Sequence, residues 1–300
     1  MTGRPRAAQA SVPTPRPPRT VRYTEGPHLL VRGDCVRAMR RMEAASVDVV
    51  VTSPPYNIGL KYRTYRDRLE EDGYLDWMVE VAAEVRRVMR PDGSFFLNVA
   101  GSSAQPWLPF ELMVRLRELF VLQNHISWVK SISVGVDTHG HFKPVNSHRY
   151  LNRNHEHLFH LTLKGEVGLK RLDIGVPYKD KSNIVRRGHR QDRRCRGDTW
   201  FIPYETVQGR AQKFHHPGTF PVLLPQMCIR LHGKSAPVVL DPFMGTGTTL
   251  VAAVREGGGG SGSISIPSMS TWRVNGSGRP CRRRRRVLPE RMIEMFDRFH

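Results

Sequence analysis

No run in this 300-residue chain approaches the roughly 20 uninterrupted apolar residues that a membrane-spanning helix requires. Cysteine is sparse and scattered. Cys35, Cys195, Cys228 and Cys281 form no CxxC pair and no Cys/His ladder, which argues against structural zinc and against a disulfide framework. All four are expected as reduced thiols, and no metal is expected. The first twenty residues carry positive charge but no apolar segment, so no secretory signal is read there and the expected location is cytoplasmic. The phosphate-cradling patterns GxxxxGKS/T and GxGxxG are also missing, which disfavours an ATP cradle and the common dinucleotide fingerprint. Acidic residues are outnumbered, 27 against 47 Lys and Arg, for a net charge of +20. That balance points to a polyanionic partner, nucleic acid first. Arg-rich coding bias is the competing explanation, and the distribution of charge along the chain bears on the choice.

What the chain does have is α/β grammar. Residues 1–22 hold five Arg, five Pro and no acid, which predicts a disordered Arg/Pro arm. HLLVRGD (28–34) then reads as a strand, VRAMRRMEAA as a helix with Val36, Met39 and Met42 on one side, and VDVVVTSPPYNIG as a buried strand running into a loop. Helical spacing over 72–90 stops at Pro91-Asp92-Gly93, and SFFLNVAGS reads as the next buried strand. A further helix and strand follow, from WLPFELMVRLRELF to VLQNHISWVKS. Residues 23–130 are thus one α/β segment.

Between 131 and 212 the character changes, and only NHEHLFHLTLKG shows a clear strand pattern. From Lys164 to Lys213 there are 13 basic and 6 acidic residues, accompanied by Tyr178, Trp200, Phe201, Tyr204 and, just beyond, Phe214. Cations mixed with aromatics suit phosphate contact and base stacking; a solvated face over a small satellite core is the alternative. The candidate nucleic-acid-contacting cations are Lys179, Lys181, Arg186, Arg187, Arg190, Arg193, Arg194 and Arg196. Regular grammar returns over 213–256, with FPVLLPQMCIRLHG as a helix and APVVLDPFMGTGTTLVAAVRE as strand, Gly-rich turn and helix. After Glu256 the pattern fails, and 257–300 reads as an aberrant, basic, disordered tail.

Two loops carry chemistry. DPFMGTGTT follows a strand ending at Asp241, and Gly245 and Gly247 permit positive φ and close backbone approach, so that a helix N-terminus can hold a ligand's polar group. TSPPY (52–56) places two prolines in a rigid extended loop at the end of a buried strand. There the Ser53 hydroxyl and the Pro54 carbonyl can accept hydrogen bonds from an exocyclic amine, while Tyr56 offers a face for an extruded base. An amine conjugated to a heterocycle is a poor nucleophile. Localising its lone pair toward an electrophilic methyl group is therefore useful chemistry.

TSPPY together with DPFMGTGTT resembles the amino-methyltransferases of DNA. The resemblance extends over about 23–256 through GDCVRAM, RVMRPDGSFFLNVAG, WVK, NRNHEHLFHL and FHHPGTFPVLLPQMCI. It implies a Rossmann-like S-adenosylmethionine-dependent methyltransferase sheet, circularly permuted, with the catalytic motif first, a target-recognition region inserted over 131–212, and the cofactor motif last. It implies catalytic roles for Ser53, Pro54, Pro55 and Tyr56. Cofactor contacts are implied for Asp34, His216, Thr219, Phe220, Pro221, Asp241, Pro242, Phe243, Gly245, Thr246, Gly247 and Thr248; for Asp34 a helix N-cap is the alternative. The implied reaction flips a base out of double-stranded DNA and displaces the methyl group from S-adenosylmethionine directly. In that family Ser at the first position of the catalytic motif leans toward cytosine N4 over adenine N6. A restriction-modification setting, with a cognate restriction endonuclease, is the implied context.

The tail departs from the family, in which a second strand ends in an acidic residue for the cofactor ribose, a role with a counterpart in dinucleotide folds. Read one base back, with common codons, residues 260–277 become a string such as VGIDLDPEYVDVARERL, a strand with an acidic end followed by an amphipathic helix. An out-of-frame tail accordingly predicts a missing sheet strand and weak cofactor binding. The alternative is a genuine basic tail that contacts DNA.

Overall fold

Apolar segments bounded by turn signals become the strands of one sheet, and segments with helical spacing cover its two faces. The computed structural model describes residues 21–25, 28–57, 70–140, 144–186, 191–204, 220–257 and 263–265. Its elements are β1 (Val21–Glu25), β2 (His28–Arg32), α1 (Cys35–Met39), β3 (Val47–Thr52), α2 (Glu71–Val88), β4 (Met89–Val99), α3 (Leu108–Leu116), β5 (Val121–Val129), β6 (Ser131–Val134), β7 (Asp137–Gly140), β8 (His155–Thr162), α4 (Ser182–Arg186), β9 (Thr199–Phe201), α5 (Leu223–His232), β10 (Val239–Asp241), α6 (Thr248–Arg255) and β11 (Ser263–Ser265).

Nine strands form the sheet in the order β1-β2-β11-β10-β3-β4-β8-β5-β9. The centre, β2-β11-β10-β3-β4, is parallel, and β8 pairs antiparallel with both β4 and β5. The sheet is α/β and mainly parallel at its core, and β10, the strand preceding the Gly-rich turn, late in the chain, lies beside β3, the strand that leads into TSPPY. That is the permuted order.

Strand period two assigns the core to two faces. Val47, Val50, Phe95, Leu97, Val99, Phe159 and Leu240 join α1, α2 and α3 on one side, while Val49, Val51, Phe96, Leu158 and Val239 join α5 and α6 on the other. Because both faces are covered, all six residues of β3 are buried, as expected of a strand inside a parallel sheet. Helix α2 buries Tyr74, Leu75, Met78, Val81, Ala82, Val85 and Val88 at 3–4 residue spacing, with acids in its first turn and arginines in its last, complementing the helix dipole.

Local differences from the sequence reading have physical causes. The chain enters β4 directly at Met89, and Pro91-Asp92-Gly93 bulges between Met89, opposite Val47, and Ser94, opposite Val49. Proline lacks the ladder donor, so it sits where pairing is broken. A Cβ at Gly93 would lie 2.5 Å from the Met89 side chain. The stretch 131–212 is not wholly outside the sheet, since β8 is one of its inner strands and β9 closes its edge. The strand expected to be missing after α6 is present: β11 pairs in parallel with β10 and β2, aligning Ser265 with Asp241 and with Leu30. Backbone pairing tolerates Ser-Ile-Ser there because both neighbouring strands supply the ladder. The arm at 1–20 and the tail from 266 onward lie outside the described residues.

Candidate active site

Parallel pairing fixes where the two motif loops emerge. β3 and β10 run side by side, Val49 opposite Val239 and Val50 opposite Leu240, so TSPPY and DPFMGTGTT leave the sheet at the same carboxyl edge. The GD turn after β2 opens on that edge too, since β2 and β11 are parallel to β10. Open parallel sheets bind ligands at such an edge.

One buried carboxylate ties the loop roots together. Asp241 Oδ1 accepts from Thr52 Oγ1 at 2.5 Å and from the Phe243 amide at 2.9 Å, and Oδ2 accepts from Thr249 Oγ1 at 2.6 Å. Thr52 immediately precedes Ser53, and Thr249 lies in the first turn of α6. Burial raises the Asp241 carboxyl to about 6, against the lowering effect of its three donors. This side chain, expected to meet cofactor, accepts three hydrogen bonds from protein donors. Gly245 and Gly247 have φ of 57° and 91°, the left-handed values that a glycine-rich turn was expected to need. Phe243 packs edge-on to Trp77 of α2, ring centroids 5.4 Å apart, a contact that the sequence did not announce.

The hydroxyl of Tyr56 is the hub of a second cluster. It lies 2.8 Å from Ser53 Oγ, 2.9 Å from Glu156 Oε2 and 2.7 Å from Asn98 Nδ2. Asn98 Nδ2 also donates to Glu156 Oε2 at 2.8 Å, and Lys130 Nζ reaches Glu156 Oε1 at 2.9 Å. Burial, with Glu156 alongside, holds the Tyr56 phenol well above its ordinary range. Sequence reasoning assigned no role to Asn98, Lys130 or Glu156. The only signals were their places within LNVAG, WVK and NHEHLF. They meet because β8 inserts between β4 and β5, setting Glu156 opposite Trp128 and His157 opposite Val99.

The remaining expected residues divide. Asp34 is the N-cap of α1, its carboxylate accepting from the Arg37 amide at 2.8 Å. Phe220 and Pro221 are buried ahead of α5, which ends at Gly233 with φ 74°. Pro242 and Phe243 are buried, and Thr246 and Thr248 are half-buried within the Gly-rich turn. His216 and Thr219 lie outside the described residues, as do Arg187 and Arg190. Lys179, Lys181, Arg186, Arg193 and Arg194 are exposed, whereas Arg196 is half-buried and donates to the Ile174 carbonyl. Lys179 and Arg194, with Arg171 and Asn183, line an open cavity of about 700 Å³. Lys181 is ion-paired with Asp192.

The aromatic residues of this region are not all free to stack on bases. Trp200 is 1% exposed and Tyr178 8%, and Tyr204 packs against Trp128 at 6.3 Å. Trp200 and Tyr204 belong to the core on the α5 and α6 side of the sheet, together with Trp128 and Ile202. Of Tyr178, Trp200, Phe201 and Tyr204, Phe201 alone, 40% exposed, keeps an open face. His155 and His157 are strand residues of β8. Among the described residues no three His, Cys, Asp or Glu converge to hold a metal, and no helix is long and apolar enough to cross a membrane.

Comparison with known proteins gives a consistent picture. Residues 47–263 match the N6/N4 methyltransferase family model, whose description is DNA methylase. The chain is 26% identical over 238 residues to DNA adenine methyltransferase YhdJ of Escherichia coli K12, covering 76% of this chain and 75% of that protein. It is 27% identical over 244 residues to Type II methyltransferase M.ScaI of Streptomyces caespitosus, covering 78% and 76%. Among solved structures, the cytosine-N4-specific PvuII DNA methyltransferase superposes with a TM-score of 0.61 at 19% identity, over 90% of this chain and 92% of that one, a likeness of fold. TTHA0409 of Thermus thermophilus, a putative DNA modification methylase solved in complex with S-adenosyl-L-methionine, superposes at 0.51 with 25% identity, over 79% and 88%.

Proposed function

The chain belongs to the N6/N4 family of DNA methylases, and from that premise we propose that it transfers a methyl group from S-adenosylmethionine to an exocyclic amine of a base flipped out of double-stranded DNA, with cytosine N4 as the acceptor. The observation that carries this reading is the convergence of TSPPY and DPFMGTGTT at the carboxyl edge of adjacent parallel strands, joined through Asp241. A base in a duplex cannot reach such a cleft, so extrusion is required. Cytosine N4 is favoured by Ser53 at the first position of the catalytic motif. Adenine N6 is the alternative that the same experiment decides.

The residues fit the cofactor. Two glycines at positive φ leave the backbone of the turn open to close approach, and the turn leads into the N-terminus of α6, where backbone N–H groups favour polar ligand atoms. Gly245, Thr246, Gly247 and Thr248, with Phe243 and Pro242, would hold it; Asp241 shapes the turn from within. Bound there, S-adenosylmethionine supplies an electrophilic methyl group on sulfonium. Ser53 Oγ and the Pro54 carbonyl accept from the target amine and turn its lone pair outward. Pro54 and Pro55 hold these acceptors rigid, so little ordering remains at the moment of reaction. Tyr56 presents its ring to the base. Phosphate contacts come from Lys179, Lys181, Arg186, Arg193 and Arg194. The Type II name of the Streptomyces caespitosus relative extends the proposal to a restriction-modification setting, with a cognate restriction endonuclease as partner.

A second reading has one observation in its favour. Ser265 pairs with Asp241, in the strand where the family resemblance implies an acidic residue for the cofactor ribose. On that reading the chain binds DNA without transferring methyl groups, and saturable S-adenosylmethionine binding separates the two. Long-read methylation profiling of DNA from a host expressing the chain tests the main proposal. N4-methylcytosine at a defined sequence is the expected result, N6-methyladenine corrects the base alone, and unmodified DNA sinks the proposal.

A further inference from the structure

The contacts around Tyr56 admit only one arrangement of protons. Glu156 forms an ion pair with Lys130 at 2.9 Å and accepts from Asn98 Nδ2 at 2.8 Å. The opposite orientation of the Asn98 amide would set its carbonyl oxygen against that carboxylate, so Nδ2 faces the cluster and donates to Tyr56 as well, at 2.7 Å. A carboxylate has no proton to give. The 2.9 Å contact between Tyr56 and Glu156 therefore uses the single phenolic proton. With that proton committed, the 2.8 Å contact between Ser53 and Tyr56 must be made by the Ser53 hydroxyl proton. Every donor in the chain then points inward toward Glu156, and Ser53 Oγ is left with lone pairs alone. We infer that Glu156, clamped by Lys130 and Asn98, is a positioning residue that acts through Tyr56 to make Ser53 an obligate hydrogen-bond acceptor for the N–H of the target amine.

This inference rests on the proposed methyl transfer and adds a specific dependence to it. Without a fixed acceptor at the far end, the Ser53 proton is free to turn outward. An outward proton competes for the amine lone pair that must face the methyl group. The Tyr56 hydroxyl thus has a role separate from the ring, and the side chain at 156 is required although it lies behind the tyrosine.

The test is a double-mutant cycle on single-turnover methyl transfer with Glu156→Gln, Tyr56→Phe and the double variant, each checked for an unchanged unfolding midpoint. A charge-assisted hydrogen bond corresponds to roughly a ten- to hundredfold effect. Each single variant is therefore expected to lose at least about tenfold in rate, with the KM for DNA within about threefold, because the polarity matters to chemistry more than to capture. The double variant should be no slower than the slower single variant, since both break the same chain. Full activity of Tyr56→Phe, or multiplicative losses in the double variant, would overturn the inference while leaving the functional reading intact. Should Glu156→Gln fail to fold, Tyr56→Phe, which deletes one oxygen, decides alone. A wild-type chain without methyl transfer would sink the functional reading and this inference together.

Discussion

Replacing Asp241 with asparagine should change how stability depends on pH. The side chain is 2% exposed and its carboxyl is raised by burial to about 6, whereas an unfolded aspartate titrates near 3.9. Between those values the folded state binds more protons than the unfolded one, so this group removes stability as pH rises and levels off above its folded value. From pH 5 to pH 7.5 the loss integrates to about 1 kcal/mol. His160 acts in the opposite direction. It is fully buried and lowered by desolvation to about 3, so below the ordinary histidine value near 6.5 the unfolded chain takes up the proton, and stability rises by about 2 kcal/mol over the same interval. The two have opposite signs, and His160 outweighs Asp241 by roughly 1 kcal/mol over this interval. Asp241→Asn keeps the shape and an acceptor for the Phe243 amide but removes the titration. Urea unfolding at pH 5, 6 and 7.5 should show the variant gaining about 1 kcal/mol relative to wild type as pH rises. The constant offset, set by how the Thr249 hydroxyl turns, does not enter that slope. A difference independent of pH, or one that shrinks as pH rises, would refute the assignment of Asp241 as a buried, ionised clamp.

Tyr56→Ala should reduce methyl transfer by far more than DNA binding, because affinity comes mainly from phosphate contacts; equal losses in parallel transfer and filter-binding assays would count against the stacking role. Gly247→Ala forces a side chain onto φ 91°, so it should lower stability by about 1–2 kcal/mol in denaturant titrations and weaken S-adenosylmethionine binding in calorimetry. Wild-type affinity would show that the turn does not hold cofactor. Lys179→Glu with Arg194→Glu should weaken DNA binding uniformly across sequences and reduce its salt slope by about 1 per lost phosphate contact. An unchanged slope removes that cavity wall from the interface. A chain carrying VGIDLDPEYVDVARERL after Gly260 should bind S-adenosylmethionine about tenfold more tightly, through carboxylate hydrogen bonds to the ribose. Equal affinity would leave the basic tail as genuine.

Local periodicity and turn chemistry made much of this molecule readable in the sequence. Val36 and Met39 at helical spacing, the valine-rich β3, and Gly245 and Gly247 each announce a local conformation that short-range sterics enforce. The meeting of TSPPY with DPFMGTGTT was legible through family resemblance and follows physically from β3 pairing with β10. The cluster of Asn98, Lys130 and Glu156 was not legible, because it depends on an antiparallel strand entering between β4 and β5. A lone polar residue on a strand gives no sign of which neighbour it will face. Trp200 misled for a related reason: basic surroundings suggest an exposed stacking platform, yet its burial is decided by the parallel pairing of β9 with β5. Asp241 combined a legible position with an illegible partner set, since Thr52 lies 189 residues away in sequence. Strand β11 escaped pattern reading because three residues of Ser-Ile-Ser carry no period, and two flanking ladders hold them in the sheet.

The most direct test of the central claim is transfer of a labelled methyl group from S-adenosylmethionine to duplex DNA by the purified chain, followed by digestion to nucleosides and mass spectrometry. Label is expected on an exocyclic amine, as N4-methylcytosine, with the signal abolished when Pro54 and Tyr56 are both replaced by alanine. Label on carbon 5 of cytosine, or transfer that survives that double replacement, would contradict the claim.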